Sequence, residues 1–283
     1  MKTIGVIGAG VMGKGVAQNL AQSGFETILV DVSEDILTGA REEIQRNIRF
    51  QGMFAKTEVA EDIEAVISRI IFTTEYQELK EADFVIENVP EKWDIKKSVY
   101  QSLDEICKKD CIFLVNTSCV SITKIASLTK RPEKVIGTHF MNPVPMKSVI
   151  EAIKGYHTGE AAIAATKELL SLMGKEMILV NDLPGFVSNR LSHLLMNEAA
   201  FVVQDQVASP QAVDDIFKKC FGHKMGPLET ADLIGLDTVV DSLEILYESY
   251  QDSKFRCCPL LRKMVDAGLC GRKTGKGFYN YSY

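Results

Sequence analysis

With 283 residues, 46% hydrophobic and 25% charged, the chain has the make-up of an ordinary globular protein, long enough for roughly two domains and a sizeable core. Its formal net charge of −6 argues against nucleic acid or an anionic membrane as a partner, and no apolar run approaches the roughly 18 residues needed to span a bilayer. Seven scattered cysteines form no repeated C-x-x-C pair and have no histidine at ligand spacing, so they read as reduced thiols of a cytoplasmic protein with no metal.

The glycines at positions 5, 8, 10, 13 and 15 break the apolar start, which therefore reads as a strand entering a turn rather than a signal peptide. Strand-like runs follow at 3–7, 27–30, 84–86, 112–115 and 135–136, brief, β-branched and bounded by Gly, Asp or Asn. Helical patterns over 11–22, 36–48 and 95–106 lie between them, and further strands at 148–153 and 177–180 flank a helix at 161–172. This alternation predicts a mostly parallel sheet covered on both faces. The character changes at Asn181-Asp182-Leu183-Pro184-Gly185. Beyond it Val187, Leu191, Leu194, Leu195 and Val202 recur at helical spacing, and Ser209-Pro210 reads as the cap and first position of another helix. The expectation is an α/β, Rossmann-like domain over 1–183 followed by a smaller all-α domain over 184–283.

Gly8-Ala9-Gly10-Val11-Met12-Gly13 closes the first strand and opens the first helix. In that context Gly8 permits the tight turn, Gly10 lets backbone approach a pyrophosphate, and Gly13 allows close helix–strand packing. The helix start offers unpaired N–H groups to the anion. Asp31 ends the second strand at the distance suited to a cofactor ribose, and its charge repels a 2′-phosphate, so NAD is favoured over NADP.

A dinucleotide fold leaves the substrate open. Removing hydride from an alcohol carbon calls for a base, for which histidine, titrating near neutrality, is the general candidate. His139 follows a strand, as does Asn116-Thr117-Ser118, and ligands of open α/β sheets bind beyond the carboxyl ends of strands. Spacing alone does not choose among His139, His157, His193 and His223.

The glycine motif, Asn116-Thr117-Ser118, His139-Phe140-Met141-Asn142-Pro143-Val144-Pro145, Pro184-Gly185-Phe186-Val187-x-Asn189-Arg190, Met225-Gly226-Pro227-Leu228-Glu229 and Gly271-Arg272-Lys273-x-Gly275-x-Gly277-Phe278-Tyr279 occur in that order along nearly the whole chain. Together they resemble the 3-hydroxyacyl-CoA dehydrogenase family, in particular its short bacterial 3-hydroxybutyryl-CoA members. The resemblance implies a His–Glu dyad on His139 and Glu151, with Ser118 and Asn189 contacting the substrate oxygen and the histidine. It also implies cofactor positions at Glu91, Lys96 and Asn116, substrate contact around Asn142, and a homodimer formed through the C-terminal domain.

The chain departs from the family where lysines usually meet the CoA nucleotide: Phe50 and Phe54 stand there, leaving Arg49 and Lys56 nearby. Losing cations weakens a phosphate site. Two readings follow: both aromatics face the core, or they meet a different carrier, such as an acyl carrier protein bearing a glyceryl or other short hydroxyacyl group. A non-catalytic NAD-binding protein is a third reading, against which intact His139, Glu151, Ser118 and Asn189 count.

Overall fold

The computed structural model describes residues 2–54 and 62–281, with backbone alone at 52–54, and divides into two compact units, Met1–Asp182 and Leu183–Tyr283. The first unit begins with β1 (Thr3–Ile7), α1 (Val11–Gln22), β2 (Glu26–Val30), α2 (Glu34–Phe54), α3 (Ile63–Ser68) and β3 (Ile70–Thr73). It continues with β4 (Phe84–Glu87), α4 (Trp93–Ile106), β5 (Ile112–Asn116), α5 (Ile122–Ala126), β6 (Val135–His139), β7 (Val149–Lys154), α6 (Glu160–Leu172) and β8 (Glu176–Asn181). These strands form one eight-stranded sheet in the order β3-β2-β1-β4-β5-β6-β7-β8. The chain reverses direction across the sheet between β1 and β4, the switch point at which doubly wound sheets bind dinucleotides.

Strands β1 and β4 are buried almost throughout, as a sheet covered on both faces requires. Ile4 and Val6 of β1, Val16 and Leu20 of α1, and Ile86, Leu114 and Ile136 of the central strands belong to one apolar core. All pairings are parallel except one: β7 runs antiparallel to β6, with Thr138 opposite Ala152 and His139 opposite Glu151. Strand β6 is longer than the run at 135–136, because Gly137-Thr138-His139 also pair. Gly137 interrupts the apolar pattern for a packing reason, since a Cβ there would meet the Ile122 side chain at 2.6 Å. The β-branched run Ile70–Thr73 forms an additional edge strand beyond those expected from sequence.

Helix α2 buries Leu37, Ala40, Ile44 and Ile48, a stripe at spacings of three and four. Phe50 lies two positions past Ile48, about 200° around the axis, and is 53% exposed. The core-facing reading is therefore corrected for Phe50: its neighbours already supply the buried face. The side chain of Phe54, and Lys56 altogether, lie outside the described residues.

The second unit is helical: α7 (Ser188–Gln204), α8 (Pro210–Cys220), α9 (Pro227–Ile234), α10 (Leu236–Tyr250) and α11 (Pro259–Asp266). Ser209 caps α8 by accepting the Ala212 N–H, with Pro210 at the first position. Its own core gathers Met196, Ala200, Leu228, Leu236, Val239, Leu243 and Leu261. Two buried carboxylates tie down the C-terminal segment. Asp214 accepts the N–H groups of Leu228 and Glu229 at the start of α9 and the Tyr279 hydroxyl, at 2.9, 2.8 and 2.7 Å. Asp232 accepts from Phe278 N, Tyr279 N and the Tyr281 hydroxyl, each at 3.0 Å.

Candidate active site

The glycine loop joins β1 to α1. Gly8 has φ +89°, a conformation that L side chains rarely adopt, and a Cβ there would meet the Asn88 carbonyl oxygen at 2.8 Å. A Cβ on Gly13 would collide with the carbonyl oxygen of Gly8. One on Gly10 would meet nothing within 4 Å, so the backbone there is open to the close approach of a ligand. No side chain caps the start of α1, so its first N–H groups are left to an anion. Val11 is exposed at this end, while Met12 packs against the core and lines the cleft above β4 and β5. Asp31 ties the glycine loop to the end of β2: one carboxylate oxygen accepts the Ala9 N–H at 2.6 Å, the other the Val32 N–H at 2.7 Å. These features fit a dinucleotide.

Replacing Gly13 by alanine is expected to weaken NADH binding at least tenfold, about 1.4 kcal/mol or more. Titration of NADH fluorescence checks this, and unchanged affinity would show that the loop tolerates the methyl group. Asp31→Asn keeps an acceptor for the Ala9 N–H but removes like-charge repulsion worth several kcal/mol against a 2′-phosphate. The preference for NAD over NADP should therefore fall, as read from kcat/KM with each cofactor.

A polar network lies beneath the loops that follow β4 and β5. Lys96, from α4, is fully buried and donates to both Glu87 oxygens at 2.9 and 2.8 Å and to the Asn116 carbonyl at 3.3 Å. Burial pushes the Glu87 carboxyl up in pKa, while the Lys96 charge and the Val89 N–H pull it back. Lys96 thus stands behind the cleft, its ammonium occupied by the backbone and carboxylate it supports. Glu91 accepts from the Thr117 hydroxyl at 2.7 Å and the Ser118 N–H at 2.8 Å, and lies 3.7 Å from the Lys96 ammonium. Asn116 donates to the Asn88 side chain at 2.7 Å and accepts the Phe140 N–H at 3.3 Å.

These bonds fix Ser118 beside His139. The Ser118 hydroxyl lies 3.3 Å from His139 Nε2, and Nδ1 of the same ring lies 3.1 Å from a Glu151 oxygen. The antiparallel pairing of β6 with β7 explains the second contact, because directly opposed residues share a face of the sheet. His139 is 7% exposed and Glu151 8%. Nδ1 of the ring thus faces the Glu151 carboxyl and Nε2 faces the Ser118 hydroxyl, on opposite sides of one imidazole. Burial pushes the neighbouring Cys119 thiol up to about 11, which leaves it a poor nucleophile.

Met12, Asn88, Glu91, Asn116, Ser118 and His139 line one cleft. Asn142 is exposed and is absent from the lining of that cleft. Asn189 belongs to the second unit, in the first turn of α7, where its carbonyl lies 2.9 Å from His193 Nδ1. Glu87 and Asn88 were not among the site residues expected from sequence. Their position at the end of β4, next to the switch point, is the signal that could have found them.

The description "3-hydroxyacyl-CoA dehydrogenase, NAD binding domain" matches residues 3–183, and "3-hydroxyacyl-CoA dehydrogenase, C-terminal domain" matches residues 185–281. The chain belongs to the 3-hydroxyacyl-CoA dehydrogenase family. It is an NAD-dependent oxidoreductase acting on CH–OH donors. It is 41% identical to the 3-hydroxybutyryl-CoA dehydrogenase of Bradyrhizobium diazoefficiens, over 99% of this chain and 96% of that protein. It is also 41% identical to the 3-hydroxybutyryl-CoA dehydrogenase of Clostridioides difficile, over 99% of both. The crystal structure of (S)-3-hydroxybutyryl-CoA dehydrogenase from Ralstonia eutropha superposes with a TM-score of 0.95 at 39% identity, covering 100% of each chain. Among the described residues of this family member, no helix is long and apolar enough to cross a membrane.

Proposed function

We propose that the chain interconverts 3-hydroxyacyl and 3-ketoacyl thioesters of the 3-hydroxybutyryl-CoA type, with His139 and Glu151 as its acid–base pair. The observation that carries this reading is the line of contacts from Glu151 through the imidazole to Ser118, beyond the carboxyl ends of β5 and β6. Held at the glycine loop and Asp31, NAD would supply the hydride acceptor for the hydroxyl-bearing carbon. In that direction Nε2 of His139 takes the hydroxyl proton, and the Ser118 hydroxyl holds the substrate oxygen against the ring. Glu151 keeps hydrogen on Nδ1 and steadies the imidazolium as it forms. In the reverse direction the imidazolium returns the proton to the oxygen of a 3-ketoacyl substrate.

CoA is the carrier this reading assigns first, because the relatives named above act on CoA esters by their names. Exposure of Phe50, with Arg46 and Arg49 exposed on the same helix, favours a second reading in which the same chemistry acts on a group held by an acyl carrier protein. Assays with 3-hydroxybutyryl-CoA and with carrier-loaded hydroxyacyl groups, run side by side, decide between them. Saturable NADH formation from the CoA ester at low concentration supports the first reading, and a tenfold higher kcat/KM for the carrier-bound group moves the assignment to the second. A homodimer through the second unit belongs to the same proposal. Leu191, Ile216, Phe221 and Leu233 are exposed there, and mass measurement in solution tests it.

A further inference from the structure

The connection between β6 and β7, residues 140–148, carries the chain from His139 back to Glu151, so its shape governs how the two side chains meet. It packs directly on the dinucleotide-binding helix: a Cβ on Gly15 of α1 would meet the Val144 side chain at 3.1 Å. At its start the Phe140 N–H donates to Asn116, and at its end the Ser148 carbonyl accepts the Glu176 N–H at 2.7 Å. Its middle is hydrogen-bonded by a side chain from further along the chain. Lys175, after the turn that ends α6, donates to the carbonyls of Val144 and Lys147 at 2.8 and 2.7 Å.

Lys175 is only 6% exposed, and among the described residues its ammonium bonds to no carboxylate. Burying an unpaired charge is unfavourable, and the group ordinarily persists only where strong charge-assisted bonds offset the lost hydration. The charged residues beside it, Lys147 and Glu176, are both exposed. The group that α1 sends toward this turn is the neutral Asn19, which donates to the Met173 carbonyl at 3.4 Å.

We propose that Lys175 is a positioning residue for the acid–base pair: its buried ammonium gathers the carbonyls of Val144 and Lys147 and holds the connection between His139 and Glu151 against α1. This rests on the roles given above to His139 and Glu151. The clamp couples the β6–β7 pair bearing the dyad to the helix bearing the glycine loop, so losing it displaces the imidazole relative to both cofactor and Ser118. Misplacement of a reacting group by about 1 Å can cost about 100-fold in rate.

The clamp also makes activity sensitive to alkali. Burial lowers the Lys175 pKa, so the ammonium loses its proton below the ordinary lysine range. The neutral amine donates more weakly, and the connection loosens. Between the lowered folded value and the higher unfolded one, the unfolded chain binds more protons, so this group contributes increasing stability as pH rises. Loss of rate there from this group is therefore not unfolding.

The test compares the wild type with Lys175→Met, Lys175→Arg and His139→Ala, measuring kcat, both KM values, melting temperature and kcat against pH. For Lys175→Met, kcat is expected to fall about 10- to 100-fold with KM for NAD within about twofold and with no alkaline fall below the ordinary lysine range. Lys175→Arg, charged throughout, recovers most of the rate and shifts the alkaline fall of the wild type upward by at least about one pH unit. A Lys175→Met enzyme that keeps kcat within about twofold of wild type overturns the proposal, as does an alkaline fall unmoved in Lys175→Arg. If the methionine variant does not fold, the arginine profile decides by itself. The His139→Ala enzyme separates the two layers. Full activity there removes the assigned role of His139, whereas lost activity there beside an unaffected Lys175→Met enzyme removes only the role of Lys175.

Discussion

Replacing His139 by alanine is expected to lower kcat by about 10²–10⁴-fold while leaving NADH affinity near that of the wild type. The imidazole presents Nε2 to the Ser118 hydroxyl, so on the proposed role its removal takes away proton transfer without touching the glycine loop or Asp31. Glu151→Gln is expected to lower kcat by a smaller factor. The amide keeps an oxygen that can accept from Nδ1, so the ring stays oriented, but the charge that favours the imidazolium is gone. Steady-state kinetics with an NADH titration on each variant makes the comparison. A His139→Ala enzyme within tenfold of wild type would exclude the imidazole as the base and leave only the cofactor half of the reading.

The second large effect concerns stability. Lys96→Met is expected to destabilise the first unit by about 3–5 kcal/mol, because it strands the Glu87 carboxylate in a site that admits no water to either partner. The pH dependence of this loss has a definite sign. Burial already holds the Glu87 carboxyl above its ordinary range even with Lys96 present. An acid with a raised folded pKa contributes stability that is fully present below its unfolded pKa and lost as pH rises through the folded one. Without Lys96 that folded pKa rises further, so the variant should be weakest at alkaline pH and recover part of the loss toward acid. Glu87→Gln combined with Lys96→Met removes both charges and should regain much of the deficit, since no buried charge is left unpaired. Denaturant unfolding at two pH values measures all three proteins. A single variant less than about 1 kcal/mol below wild type would mean that the pair contributes little to the fold.

The local chemistry of the cofactor half was legible in the sequence. A β-branched run, three glycines at fixed offsets, an amphipathic stretch and an acid at the next strand's end each act within a few residues of chain, so spacing by itself specifies them. Their structural counterparts are β1, the Gly8–Gly13 collisions, α1 and the Asp31 carboxylate on the Ala9 N–H. The change to helical periodicity after residue 183 was equally visible, for the same local reason. Glu151 is another matter: its relation to His139 depends on β7 running against β6 with those two residues opposed. Strand direction and register are long-range choices, and from the residues alone, without the family resemblance, twelve positions of separation place a carboxylate near an imidazole no better than many other arrangements would.

Helical periodicity also left Phe50 able to face either way. The structure decides it, because Ile44 and Ile48 already fill the face that α2 turns inward. The family resemblance puts Lys96 near the cofactor, but the residues alone give no sign that it is fully buried beneath Glu87 and Asn116. Lys175 gives no sequence signal at all, since its partners are two backbone carbonyls some thirty residues away. The sequence alone determined those features whose cause lies in neighbouring residues. Which distant groups share a buried space was decided only when the strands paired, because burial and charge pairing are properties of the packed chain and not of its local pattern.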